Sequence, residues 1–300
     1  MTRRLKQKGS TMFVVTGITG HTGAAAANTL LAAGKKVRAF VRDPNKAKAW
    51  ADRGVEVVAA DINDAAALAG FFAGAEGAYV LNPPQPQSPD PFGSVIQSTT
   101  AVRKAARDAK LPRLVCLSSV AAQLTHGTGL IRCAHILEAI LADAAPSVTF
   151  VRAAGFHENW QSAFGMAKAQ GIAPTFLTDL NRKSETVATV DIGRVAAEAL
   201  MAEKPHHLIE LSGPAAATPN DAVAAISATL GKPVQPVVPP RDQWAGILQG
   251  AGLGQAFVAG MVEMYDGWNS SRIQFEGKVP LTRGNVGLAE TVKSWAMAGA

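Results

Sequence analysis

Short apolar runs rich in β-branched residues alternate with alanine-rich stretches of helical period over the first half of this 300-residue chain. The strand-like runs fall at 12–16, 36–41, 55–60, 77–81, 113–117 and 148–152. Helical patterns fill the gaps at 23–33, 45–53, 64–73, 92–109 and 129–143. Apolar strands separated by amphipathic helices predict right-handed crossovers and a parallel sheet buried on both faces. The expected class is α/β, a doubly wound parallel sheet with a smaller C-terminal α/β portion packed against the carboxyl edges of its strands. After Arg152 the regularity breaks. An irregular stretch over 153–185 precedes a helix at 191–202, a short strand at 208–211, a helix at 219–230 opened by Thr218 and closed by Gly231, and further helices at 243–249 and 254–268. The expected division is a basic tail over 1–11, a sheet unit over 12–154 rejoined by about 186–213, and a second unit from 155–185 and 214–300.

Residues 14–23 read VVTGITGHTG, so an apolar strand runs through Gly17, Gly20 and Gly23 into a helix. Glycine at such a turn lets bare backbone N–H groups approach a ligand's phosphates, and the helix N-terminus adds partial positive charge. The turn residues Gly17, Thr19, Gly20, His21, Thr22 and Gly23 are therefore candidate cofactor contacts. The alternative is a turn that uses glycine only for its backbone conformations. Nucleotide choice is read at the end of the second strand, about twenty positions beyond the turn. Arg42 stands there, and a guanidinium clamps a ribose 2′-phosphate where a carboxylate would repel it. Lys46 and Lys48 follow, so the pattern favours NADP(H); ribose binding by the adjacent Asp43 is the competing reading. Asp61 suits the adenine amino group and Ile62 the ring, unless Asp61 caps the next helix. Asn82 and Pro83 follow the fourth strand and would run under the middle of the cofactor.

Nearly half the residues are hydrophobic, at 48%. The formal net charge of +6 is concentrated at the start, in Arg3, Arg4, Lys6 and Lys8, and the body is nearly neutral. With no basic stripe elsewhere, no nucleic-acid partner is expected. Cys116 and Cys133 lack metal-ligand spacing and read as free thiols in a reducing cytoplasm, with no metal. No apolar stretch approaches the ~20 residues that span a bilayer, so no membrane partner is expected.

The order of VTGITGHTG, FVRDP, AADIND, LNPP and CLSSVAA, followed by VRAAGFHENW, VDIGRVAAEAL and LIELSGPAAAT, resembles the NmrA-like group of atypical short-chain dehydrogenase/reductases. The resemblance runs from Met12 essentially to the C-terminus. It implies a Rossmann domain, a smaller C-terminal substrate domain and NADP(H) binding. It does not imply one function, since the group holds NADPH-dependent quinone reductases, reductases of plant phenolics and proteins that bind dinucleotide only to sense or regulate.

Ordinary short-chain dehydrogenases protonate carbonyls with a Tyr-xxx-Lys pair on the helix after the fifth strand. In GLIRCAHILEAIL the matching positions are Ile131 and His135. Tyr79 lies in a predicted strand and Tyr265 near the far end, so tyrosine-dependent chemistry is not expected. Hydride transfer without a strong acid suits a quinone, whose reduced anion has a conjugate acid near pKa ~10 against about 15.7 for water. His135 is a candidate for the nicotinamide ribose or for orienting the acceptor; packing against Glu138 is its alternative. Ser118 and Ser119 end the fifth strand beside the expected nicotinamide. Ser118 and His135 are the candidate catalytic residues. Phe156, Asn159 and Trp160, after the sixth strand, are candidates for holding a flat substrate ring. The leading expectation is an NADPH-dependent oxidoreductase acting on a small-molecule, quinone-like acceptor. The alternative is a non-catalytic NADP(H) sensor that regulates a protein partner. A homodimer is left open.

Overall fold

The computed structural model describes residues 12–41 and 43–298. The basic tail and Arg42 lie outside the described residues. Twelve strands and eleven α-helices follow in chain order among those described. The strands are β1 (Met12–Thr16), β2 (Lys36–Val41), β3 (Glu56–Ala59), β4 (Gly77–Val80), β5 (Arg113–Ser119), β6 (Ser147–Ala153), β7 (Gly155–Phe156), β8 (Ile172–Pro174), β9 (Thr186–Val187), β10 (Leu208–Ser212), β11 (Gln235–Val237) and β12 (Thr282–Arg283). The helices are α1 (His21–Ala32), α2 (Lys48–Ala51), α3 (Ala65–Phe72), α4 (Pro91–Asp108), α5 (Arg132–Leu141), α6 (Gln161–Gln170), α7 (Thr189–Met201), α8 (Pro219–Leu230), α9 (Trp244–Gly250), α10 (Gln255–Asn269) and α11 (Leu288–Ala298).

Eight strands form one parallel sheet in the order β12-β10-β6-β5-β4-β1-β2-β3. The doubly wound α/β expectation holds. The order reverses between β1 and β4, the position where open α/β sheets form a ligand crevice beyond their carboxyl ends. Alternate side chains of the inner strands β1, β4, β5 and β6 enter two cores, which is why these runs read as largely apolar. Phe13, Val15, Tyr79, Val115 and Val151 face α1 and α7, whereas Val14, Ala78, Val80, Cys116 and Phe150 face α3, α4 and α5. A third cluster joins α6, α8 and α11 through Ala163, Ala167, Val223, Ile226 and Val292. The short strand β12 joins the sheet edge beside β10, although 214–300 carries no strand signal strong enough to be read in the sequence.

Two glycines set how closely α1 can lie. A Cβ on Gly23 would stand 2.2 Å from the Gly17 carbonyl oxygen, so only glycine lets the helix start against the end of β1. On its other side, a Cβ on Gly193 would stand 2.3 Å from the Thr22 carbonyl oxygen and 2.4 Å from Ala25 Cβ, so α7 packs backbone to backbone on α1. A similar clasp holds α10. A Cβ on Gly129 would lie 1.9 Å from the Gly260 carbonyl oxygen, which places the 127–131 loop in a groove of that helix.

Buried polar ties bind the late segments to the sheet. His157 is 1% exposed, with Nδ1 2.9 Å from Thr291 Oγ1 and Nε2 3.2 Å from Thr186 Oγ1. The Asp191 carboxylate accepts the Asn285 and Val286 N–H groups, both at 2.8 Å. Burial lowers the His157 pKa to about 4, against the opposing pull of Asp191, so the folded state holds this ring neutral.

Two outcomes follow from this packing. Gly193→Ala should destabilise the chain by about 1–3 kcal/mol, because α1 and α7 must separate; an unchanged denaturant midpoint would contradict the close approach. The lowered His157 pKa means the unfolded chain binds the extra proton, so stability contributed by His157 is complete above pH ~6.5 and falls as pH drops towards about 4. Melting curves of wild type and His157→Gln across that window should converge as the pH falls.

Candidate active site

The glycine turn builds an anion-ready surface from backbone alone. Gly17 takes φ +64°, a left-handed conformation that favours glycine, and its carbonyl accepts the Gly20 N–H at 2.9 Å. Ile18 is fully buried and anchors the turn, which leaves Thr19, Gly20 and His21 as its exposed crest, while Thr22 and Gly23 are buried. Gly20 is the N-cap of α1, and no side chain caps the helix there. By contrast, Asp64, Asp90 and Thr218 cap α3, α4 and α8 with side-chain oxygens. The first amides of α1 are thus left for a ligand, and a Cβ on Gly20 would meet nothing nearer than the Gly17 carbonyl oxygen at 3.4 Å. These features fit a dinucleotide's pyrophosphate.

Around the adenine side, the Asp61 carboxylate accepts the Asn63 N–H at 2.9 Å and does not cap α3, a role taken by Asp64. Half-buried Ile62 packs against the α3–α5 core. The Asp43 carboxylate accepts the Asn45 N–H at 3.0 Å. Arg42 lies outside the described residues, and exposed Lys46 and Lys48 follow Asp43.

A cleft opens at the carboxyl ends of β4 and β5. Asn82, Pro83 and Pro84 form one side, Leu117, Ser118 and Ser119 the floor, Leu130, Ile131, Cys133 and Leu137 a wall, and Phe257 and Met264 of α10 the roof. The loop at 82–91 is fastened to that roof, since Gly254 N–H donates to the Pro86 carbonyl at 2.8 Å. Cys133 is the one titratable side chain among the described residues lining the cleft, and burial pushes its thiol up to about 11. Neither tyrosine borders it. Tyr79 is fully buried in β4, and Tyr265 packs on Phe176 at 4.9 Å between ring centres.

Ser118 reaches the cleft from a buried charge network. Its hydroxyl donates to Glu138 Oε1 at 2.5 Å. Arg152 grips the same carboxylate with Nε at 2.9 Å and NH2 at 2.7 Å, and its NH1 donates to Glu276 at 2.7 Å. Burial opposes the guanidinium's charge, but the hydrogen bonds it donates to Glu138 and Glu276 raise its pKa above the ordinary value. Glu138 therefore pairs with Arg152 and Ser118, not with His135. Ser119 is half-buried and its side chain makes no hydrogen bond among the described residues. Asn82 Oδ1 lies 3.3 Å from Ser98 Oγ, which leaves the amide hydrogens for the cleft. His135 is half-buried on α5 but does not line the cleft; its Nδ1 donates to the Ala122 carbonyl at 2.9 Å, so Nε2 is the acceptor nitrogen.

The expected substrate residues do not gather here. Phe156 packs against the α1–α7 core, Asn159 is exposed, and Trp160 packs with the α6–α8–α11 cluster. The cause is local: β7 turns away to pair with β9, carrying 156–160 towards a second hollow bordered by Trp160, Arg182, Thr186 and Trp268. The sequence pointed to no role in the site for Arg152, Leu130, Phe257 or Met264, and it marked Cys133 only as a free thiol and Glu138 only as a packing partner of His135. The readable signal for the network was an arginine inside the otherwise apolar run VTFVRAA.

Known proteins share this architecture. A curated NAD(P)H azoreductase of Xenophilus azovorans is 26% identical over 258 residues, covering 85% of this chain and 86% of the relative. An NADPH-dependent quinone oxidoreductase of Escherichia coli, solved in complex with NADPH, superposes with a TM-score of 0.78 at 24% identity, over 95% of this chain and 100% of that one. A triphenylmethane reductase of Citrobacter sp., complexed with NADP(H), gives 0.77 at 23% identity, over 95% and 99% of the two chains. The two structures establish likeness of fold. The family model extends over residues 9–270, and the chain accordingly belongs to the NmrA-like family.

Proposed function

We propose that this chain is an NAD(P)H-dependent oxidoreductase that reduces a quinone or related conjugated carbonyl in the cleft at Ser118 and Ser119. One observation carries the reading. An apolar cleft, with no side-chain acid near neutral pKa, adjoins a glycine turn whose helix amides are left for phosphate. The names of the relatives, an azoreductase, a quinone oxidoreductase and a triphenylmethane reductase, support it.

When bound, the reduced nicotinamide supplies the hydride. The turn at Gly17–Gly23 would hold the pyrophosphate with backbone N–H groups, Asp61 and Ile62 would meet the adenine, and Arg42 would clasp a 2′-phosphate. His135 would accept a hydrogen bond from a ribose hydroxyl at Nε2, since the Ala122 carbonyl holds its Nδ1–H. Leu117, Leu130, Phe257 and Met264 would exclude water and orient a flat ring. The developing negative charge on the acceptor would meet hydrogen-bond donors, the Ser119 hydroxyl and the Asn82 amide, and not a proton from an acid. Delocalised anions tolerate that arrangement and simple alkoxides do not, which sets the acceptor class.

NADPH oxidation, followed by absorbance with a panel of quinones and conjugated ketones, should depend on the acceptor and vanish in Gly20→Val. NADPH binding without turnover of any acceptor would replace this reading by a dinucleotide sensor. Gly20→Val should weaken NADPH and NADH together. Arg42→Glu should weaken NADPH about ten- to a hundredfold more than NADH; equal losses would remove Arg42 from the 2′-phosphate.

A further inference from the structure

We propose that Ser118, held by Glu138, makes one point on the floor of the cleft a hydrogen-bond acceptor, so that the cleft selects conjugated ring compounds bearing an O–H or N–H group. The proposal rests on the reading of the cleft as the acceptor site. A serine hydroxyl has one proton and two lone pairs. Ser118 commits that proton to Glu138 Oε1 at 2.5 Å, and a carboxylate can only accept. Arg152 holds Glu138 with two hydrogen bonds, and Glu276 holds Arg152 from the far side, so the carboxylate cannot swing away from Ser118. Ser118 is 4% exposed, yet it borders the cleft. A ligand reaching this oxygen therefore meets lone pairs.

The same polarity recurs elsewhere in the lining. Ser94 Oγ donates to the Asp90 carbonyl at 2.9 Å, and Cys133 Sγ faces the Pro91 carbonyl at 4.0 Å. Ser94 Oγ also has Ser88 Oγ at 2.8 Å, so both groups have acceptors for their protons outside the cleft. A ligand carbonyl at Ser118 would set one acceptor against another and lose its hydration, whereas a hydroxyl or amino group would recover a hydrogen bond. A buried site built to accept from a ligand hydroxyl discriminates strongly against the analogue that lacks it. Hydroxylated and amino-substituted acceptors thus fit with the donor group on Ser118 and the reacting oxygen on Ser119 and Asn82.

Two ring-matched probes separate the outcomes, 2-naphthol with a donor and 2-methoxynaphthalene without one. Calorimetric titration of the full chain should show 2-naphthol bound about tenfold or more tightly. The difference should disappear in Ser118→Ala and persist in Ser118→Thr, which keeps the hydroxyl. Equal affinities in the wild type, or a preference that survives Ser118→Ala, would overturn the proposal and leave the cleft a ring site. If neither probe binds, or if Leu130→Trp, which fills the cleft, leaves their binding unchanged, the acceptor-site reading falls and takes this proposal with it.

Discussion

The absence of a side chain at Gly23 governs the arrangement of everything around the site. With 2.2 Å between a would-be Cβ and the Gly17 carbonyl, any other residue would push α1 away from β1. Gly193 does the same work on the opposite side, so α1 is held between the end of a strand and the backbone of α7. This double constraint aims the uncapped N-terminus of α1 over the switch point of the sheet. The exposed crest at Thr19–His21 is a consequence of that fixed position.

Much of the fold was legible because the sheet is buried on both faces. Strand β1 appears as an apolar run and β2 as one interrupted only by Lys36 and Arg38, and the limits of both in the structure match those read from the sequence. The glycine turn was legible for a related reason, because close backbone approach admits one residue type. What escaped reading depends on pairing across distance. Helix α1 begins at His21 and not at Gly23, since Gly20 is its cap. Strand β12 has two residues and no period of its own, and only the edge of β10 makes it a strand. Trp160 looked like a ring platform in one dimension, but β7 and β9 pair and turn it towards the second hollow.

The Ser118–Glu138–Arg152–Glu276 network was illegible for the same reason, as its members come from four separate segments. Charges this deep are costly to desolvate, and their mutual attraction offsets that cost only when the geometry is complete. Glu210 completes it by accepting the N–H groups of Glu276 and Gly277 at 2.8 and 3.2 Å, which fixes the segment that closes the network from below. An apolar cleft thus rests on an ionic foundation, and the polarity of one serine at its floor is set by residues that no ligand touches.

The late position of β12 and α10 bears on how the chain folds as it is made. Seven strands of the sheet are complete once Ser212 has been synthesised, yet the roof helix begins at Gln255, the last strand at Thr282, and the Thr291 partner of His157 follows later still. At about 5–20 residues per second, this interval lasts on the order of 4–16 s. Until α10 has been made the apolar lining at Leu117 and Leu137 is unroofed, and until β12 follows the β10 edge stays open. That interval is when the growing chain is most exposed to aggregation and most in need of a chaperone's cover.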